Sequence, residues 1–384
     1  MKTFHIYYSA NSLPEGWNTL VKHDIFLQVD YLKALEEASP DNIQLFYVGV
    51  FKDNLLVGIA IIQRVQLYLK DMFRKTQASY LRKLLKGIVS KILKGNILVV
   101  GNLTHTGQHG VYFSKESISQ SVYLESIFSA LEDITKEIKE KQNKKIRAMM
   151  FKDYFLDDTI HSESSLFNSR KLYKVAVQPN MIMKIWPEWQ VIDDYIASMN
   201  KKYRTRYRRA KKKLGVMECR ELDMETVKSN ANKLYDLYSN VSNNAKFNTF
   251  LLPENHFYSL KFYLKENFRV FGYYLDDKLV GFFTLILNNK NLETYFLGYD
   301  IEYQYSKQLY LNMLYEMVKY GIDNRFSSII YARTAMEIKS SVGAKPKAMA
   351  VYIKHTNRFV NSILREIFAL MNPKRNWKER HPFR

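Results

Sequence analysis

Arg333, Thr334, Glu337 and Lys339 lie within one short run, ARTAMEIKSSVGAKP (332–346), directly after the apolar SSIIYA. Their types can do chemistry together. A guanidinium fork binds a phosphate or a carboxylate. Glu337 can serve as a general base or orient Lys339. The SSVGAKP loop that follows these residues and Thr334 can let its backbone approach a ligand. The plainer alternative is an internal salt bridge from Arg333 or Lys339 to Glu337. A second group lies in NLETYFLGYDIEYQYS: Tyr299, Tyr303 and Tyr305 can each supply a phenolic proton. Glu293 alternates with Tyr295 on one strand face and can act as a base, or simply pair across strands at the surface. The chain has 28 tyrosines, so packing is the commoner use of any one of them.

The loop LTHTGQHG brings Asn102, His105, Gln108 and His109 together around Gly107 and Gly110. Two histidines four apart invite a metal, but no third ligand is near in sequence and no helix aligns them, so no metal is expected. A polar ligand-binding loop and a solvated turn both remain open. Ser-His-Asp, Walker and nucleotide glycine-loop patterns are absent from the sequence.

Two segments are strongly basic. In 201–213 nine of thirteen residues are Lys or Arg, including Arg204, Arg208 and Lys212. Ile192, Ile196, Met199, Tyr203, Tyr207 and Ala210 step by three or four, which predicts one continuous helix with an apolar stripe, stopped at Gly215. Such a face suits phosphate or nucleic acid, or is a solvated helix side. Residues 67–94 predict a cationic amphipathic helix, with Leu81, Leu84, Leu85, Ile88 and Ile92 opposite many of its charges. That pattern fits an anionic membrane surface, at roughly 1 kcal/mol per basic residue near it. The C-terminal NPKRNWKERHPFR continues the theme.

The net charge of +20 over 384 residues favours anionic partners without choosing among them. The length fits two domains, and 47% hydrophobic content is enough for real cores. Apolar runs such as VGIAII fall short of the roughly 18–20 residues a spanning helix needs. No export signal is expected in MKTFHIYYSANSLPEG. Cys219 is the single cysteine, which excludes an internal disulfide and a multi-cysteine metal site and suits a reducing, cytoplasmic location.

The elements that must position these groups repeat. VGVFKDNLLVG (48–58) returns as FGYYLDDKLVG (271–281), with five identities in eleven positions at an offset of 223. Around each copy the order is helix, hairpin, a strand ending in Gly (VVGN, FLGY), a long helix and a further strand. KVAVQPNMIMKI reads as a strand interrupted at Pro179. Strands alternating with helices predict an α/β fold with mixed, α+β-type sheets.

This order resembles the GNAT acyltransferase superfamily, and two such units with a basic helix resemble its double-GNAT, Fem-type branch of peptidoglycan-bridge transferases. The similarity rests on the repeated hairpin, the basic SMNKKYRTRYRRAKKKLG and the late ARTAMEIKSSVGAKP. It implies an N-terminal unit at 1–185, carrying the basic insertion at about 67–94, a linking helix at 186–215 and a catalytic unit at 216–384. It implies an N-acyltransferase that moves an acyl group from an acyl-CoA or acyl-carrier thioester to a small-molecule or lipid-linked amine, in envelope lipid or glycan metabolism. The alternative is transfer from aminoacyl-tRNA to a peptidoglycan precursor. A further alternative is a non-catalytic RNA- or membrane-binding protein on the same fold. No resident cofactor is implied; the thioester is a co-substrate. Partners would include tRNA or the inner face of an anionic membrane. In this fold the site lies where two strands splay at the end of a unit's central strand. That places Glu337, Arg333, Tyr299 and Lys339 as catalytic, and Thr334, Tyr295, Gly298, Tyr305, Asn102, His105, Gln108 and His109 as binding residues. YDIEYQYSKQL lacks the family's glycine-rich pyrophosphate loop, a departure shared by Fem-type proteins.

Overall fold

A computed structural model describes residues 2–67, 95–244, 249–364 and 377–383. The expected basic helix at 67–94 therefore lies almost wholly outside the described residues. The chain forms two compact units. The first comprises Met1–Gln178, Lys246–Leu252 and Ala348–Lys374; the second comprises Pro179–Ala245, Pro253–Lys347 and Arg375–Arg384.

The first unit holds β1 (Lys2–Tyr7), β2 (Ile43–Lys52), β3 (Leu55–Leu67), β4 (Gly95–Val100), β5 (Val111–Phe113) and β6 (Ile146–Phe155). It also takes the later part of β13 (Lys345–His355). The strand order is β1-β2-β3-β4-β6-β13, with β5 on β3. β4 and β6 run parallel and the other neighbours antiparallel. Helix Gln120–Gln142 buries Tyr123, Ile127, Leu131, Ile134 and Ile138 with Val48, Val50, Ile62, Leu98 and Val100 of the sheet. These residues recur at helical spacing on one side and β spacing on the other. Each full burial contributes about 1.5–3 kcal/mol. The helix ends at Asn143, whose left-handed backbone closes it.

The second unit holds the later part of β7 (Tyr173–Lys184), then β8 (Glu218–Glu221), β9 (Phe268–Leu275), β10 (Lys278–Asn288), β11 (Asn291–Tyr299) and β12 (Ser328–Ile330). Its order is β7-β12-β11-β10-β9-β8, parallel only between β11 and β12. Helix Leu309–Asp323 packs Leu311, Leu314, Met317, Val318 and Ile322 into this unit's core.

The repeated hairpins are the same object. Asp53-Asn54 and Asp276-Asp277 both turn with positive φ (51° and 64°; 47° and 60°), the geometry of a two-residue turn that matches strand twist. Each copy carries one extra residue just after the turn: Val57 between Leu56 and Gly58, and Val280 between Leu279 and Gly281. A Cβ on Gly49 would stand 3.1 Å from Leu56 Cδ1, and one on Gly272 2.8 Å from Leu279 Cδ1. The glycine is kept because a leucine seven residues later folds over it.

Two expectations are corrected. β7 runs unbroken through Pro179, because the ring's fixed φ is compatible with extended backbone. The long basic helix is two helices, Ile192–Ser198 and Lys201–Leu214. Met199 pairs with Phe383, and Asn200 donates its N–H to the Pro382 carbonyl at 2.9 Å and its side chain to the His381 carbonyl at 3.2 Å. The apolar stripe survives the break, since Met199, Tyr203 and Ala210 are all buried. Gly215 ends the second helix with φ 64°. Among the described residues no helix is long and apolar enough to cross a membrane.

Candidate active site

In the second unit β11 and β12 pair over three residues only, Asn291–Glu293 with Ser328–Ile330. One side-chain bond follows, from Thr294 Oγ1 to the Ile330 carbonyl at 3.1 Å. Beyond it the chain after β12 stays with β7, through Tyr331 N–H to the Met181 carbonyl (2.8 Å) and Met181 N–H to the Ala332 carbonyl (3.2 Å). β11 meanwhile continues to Tyr299 on the β10 side. A bulge sits at this divergence: Leu297 faces Phe283 and Thr294 faces Leu285, so Tyr295 and Phe296 together oppose Thr284. The two strands thus splay, and one edge of β11 is released from its parallel partner.

The loop leaving β12 is bent sharply. Ala332, Thr334 and Ala335 have φ of 58°, 65° and 45°, a conformation that costs a non-glycine residue of order 1–2 kcal/mol. Lys339 holds this shape from inside. Its side chain is buried, and Nζ donates to the carbonyls of Tyr331, Ala332 (3.4 Å) and Arg333 (2.7 Å). Burial pulls this ammonium down to about 7. Arg333 is half-buried, and desolvation draws it down to about 10, which leaves it cationic at neutral pH.

Glu337 is exposed and gripped by Arg380, whose Nε lies at 3.0 Å and whose Nη2 donates to the same oxygen. That hydrogen bond holds the carboxyl below its usual range. The alternative of an internal salt bridge from Arg333 or Lys339 to Glu337 does not form: Lys339 is spent on carbonyls, and the arginine on Glu337 comes from 377–383. Ser340 Oγ accepts the Arg380 N–H at 3.0 Å, so this late segment is fixed to the site helix Met336–Ser340 at two points.

The other expected residues fall along β11. Glu293 is buried, not a surface partner, at 2% exposure. Tyr295 is half-buried, with its hydroxyl 3.1 Å from Nε2 of fully buried His256. Gly298 serves packing: a Cβ there would lie 2.3 Å from the Leu237 carbonyl carbon, because helix Ala231–Asn243 rests on the strand. Tyr299 is half-buried and burial raises its phenol. Tyr303 packs against the core, and Tyr305 is 82% exposed on the short helix Ile301–Ser306. From that helix Gln304 Oε1 accepts the Tyr310 N–H at 3.1 Å at the start of the next helix.

On helix Lys201–Leu214 the charged groups divide. Arg204 Nη1 donates to the Met199 carbonyl at 2.6 Å, closing the end of the preceding helix. Lys211 pairs with Glu316. Arg208 and Lys212 point to solvent, with Arg209 and Lys213.

In the first unit the loop after β4 is tied inward. Asn102 Oδ1 accepts from Thr104 N (3.0 Å) and Oγ1 (2.8 Å), and its amide donates to Tyr31 Oη at 2.8 Å. His105 stacks on Phe26 at 4.3 Å, and Gln108 donates to Asp158. His109 Nδ1 lies 2.8 Å from Asp24 Oδ2. Burial by itself would raise Asp24, but the His109 ring and the Phe26 N–H offset it and hold the carboxyl below its usual value. Lys152 donates to the His105 carbonyl at 2.7 Å and pairs with buried Asp153, itself on a β6 bulge with φ 64°. These histidines are therefore built into a buried polar network rather than a solvated turn.

Residues missed by sequence reasoning are His256, Arg380, Asp24, Lys152 and Asp153. Each gains its partner from a distant segment or a bulge, and no local spacing marks them.

Residues 201–340 match the family model of the acetyltransferase (GNAT) domain. No curated protein matches the chain in sequence. Solved structures similar in fold include FemX (TM-score 0.53, 13% identity, 95% of this chain and 100% of that one). They also include a tandem GNAT protein from the clavulanic acid biosynthesis pathway (0.52, 9%, 93% and 99%). A third is the C-terminal domain of a protein described as a lysylphosphatidylglycerol synthetase from Agrobacterium fabrum (0.50, 8%, 93% and 94%). At these identities the likeness is one of fold. The chain thus has the tandem GNAT fold, and its residues 201–340 match the acetyltransferase (GNAT) domain.

Proposed function

We propose that this protein is an N-acyltransferase whose second unit is catalytic, moving an acyl group from an acyl-CoA or acyl-carrier thioester to a small-molecule or lipid-linked amine. The observation that carries the reading is the splay of β11 from β12 beyond Glu293 and Ile330. An amide-bearing donor arm would lie where β11 has parted from β12. Arg333 would bind a donor phosphate or steady the developing oxyanion. The start of helix Leu309–Asp323 has no glycine-rich cradle for a pyrophosphate, so donor phosphates would be met by exposed side chains such as Arg208 and Lys212. That same exposed basic face supports a second reading, in which the donor is aminoacyl-tRNA.

A thermal-shift panel of CoA, long-chain acyl-CoA, acyl-carrier protein and aminoacyl-tRNA separates the two. A donor at 100 times its Kd stabilises by about 2.7 kcal/mol, enough to move the melting point visibly. A shift by thioester donors supports the first reading; a salt-sensitive shift by aminoacyl-tRNA alone supports the second. No shift by any donor defeats both. In the transfer assay Arg333→Ala should lower kcat/KM about 10²–10³-fold with melting unchanged. Unaltered turnover removes Arg333 from the mechanism.

A further inference from the structure

Three of the charged groups near the splay, those of the segment after β12, are not set to take a proton. Arg333 stays cationic, Glu337 is gripped by Arg380, and Lys339 is turned onto carbonyls. The bulge of β11 offers another group. Tyr295 stands two residues past the last β11–β12 pair, half-buried. His256 opens helix His256–Leu264 and is wholly buried, with Nε2 at 3.1 Å from the Tyr295 hydroxyl. The two rings stack with centroids 5.9 Å apart and planes 19° from parallel. Phe257, Phe268 and Phe296 present ring edges or faces to the pair. A hydroxyl–imidazole bond in such apolar surroundings, next to released strand edge, is an arrangement that general acid–base transfer uses.

We infer that Tyr295, relayed by His256, takes the proton from the attacking amine; this rests on the acyl-transfer reading above. The amine lone pair attacks the donor carbonyl carbon and the C–N bond forms. The amine proton passes to the Tyr295 oxygen while the Tyr295 proton passes to His256 Nε2, in the tautomer that carries its proton on Nδ1. Collapse of the tetrahedral adduct breaks the C–S bond, or the C–O bond of an aminoacyl ester, and the electron pair leaves with sulfur or oxygen. The proton on His256 then returns through Tyr295 to that leaving group. Thioester and amine become amide and thiol, with no oxidant or reductant needed.

A buried hydrogen bond that only supports packing predicts different kinetics. Tyr295→Phe keeps the ring and should lower kcat about 10²–10³-fold with KM and melting nearly unchanged. His256→Gln should lower kcat similarly. The double variant should be no slower than Tyr295→Phe, because two groups passing one proton act as a unit. If the wild type transfers acyl groups and Tyr295→Phe keeps half its kcat, or the two losses multiply, the relay is wrong and acyl transfer stands. If the wild type transfers nothing from acyl-CoA, acyl-carrier protein or aminoacyl-tRNA to any amine, the underlying reading falls and the relay with it. Should His256→Gln fail to fold, Tyr295→Phe alone decides.

Discussion

The two units share a hairpin down to its bulge and its covered glycine, yet they end their central strands in opposite ways. In the first, β4 and β6 stay paired to Val100 and Phe151. Gly101 then bonds back to β3 through the Ile61 carbonyl at 2.9 Å, and the Ile61 N–H bonds to the Gly110 carbonyl at 2.8 Å. In the second, β11 parts from β12 after three residues and the following loop is held bent by a buried ammonium. The two units share what folds the hairpin and differ at the end of the central strand; under the proposed acyl transfer, the closed unit holds geometry and the open one does the chemistry.

The buried lysines give the strongest way to break this comparison. Lys152 neutralises a fully buried carboxylate, whereas the three partners of Lys339 are carbonyl oxygens. Lys152→Met should cost about 3–5 kcal/mol in urea unfolding, because it removes the ammonium from buried Asp153. Lys339→Met should cost about 1–3 kcal/mol; equal losses would mean the two units use their lysines alike. Gly298→Ala tests the close approach behind the open strand. It should cost about 1–3 kcal/mol, since the added methyl meets backbone that cannot swing aside.

Lys339 also predicts a pH signature. Its folded value is about 7, well below its ordinary 10.5. Between those values the unfolded chain binds more protons, so its contribution to stability rises with pH from about 7 upward and is at its least favourable below. Urea midpoints at pH 6, 7.5 and 9 should climb more for the wild type than for Lys339→Met. The smallest effect sharpens the shared part: Asn54→Gly and Asp277→Gly, both at positive φ, should each stabilise by a few tenths of a kcal/mol and by matching amounts. Unequal shifts in melting would show the hairpins to be less alike than their bulges suggest.

What the sequence made legible was local. A two-residue turn at positive φ favours Asp, Asn or Gly, and a covered glycine has its leucine seven residues on, so the hairpin repeats in letters as well as in shape. The apolar stripe of the basic region likewise survives a change from one helix to two. The break itself was not legible, because its cause lies in Pro382 and Phe383, far along the chain. The site shows the same division. Arg333, Glu337 and Lys339 were found together because they sit on one short segment. Their partners, a fork from Arg380 and carbonyls gathered under a bent loop, depend on tertiary geometry that residue types do not encode. Tyr295 was named, but His256 lies 39 residues away with no spacing that links them. Gly298 is named among the binding residues, and the helix packed against it is not visible in its spacing.

The first unit borrows residues 348–355 of β13 as the antiparallel neighbour of β6. On the ribosome those residues emerge only after nearly the whole second unit has been made. Until then β6 presents an unmatched row of amides and carbonyls, the kind of margin on which foreign strands assemble. Cutting the chain after residue 178 would not liberate a self-sufficient half, and expression of that fragment should yield aggregates that a co-expressed C-terminal piece rescues.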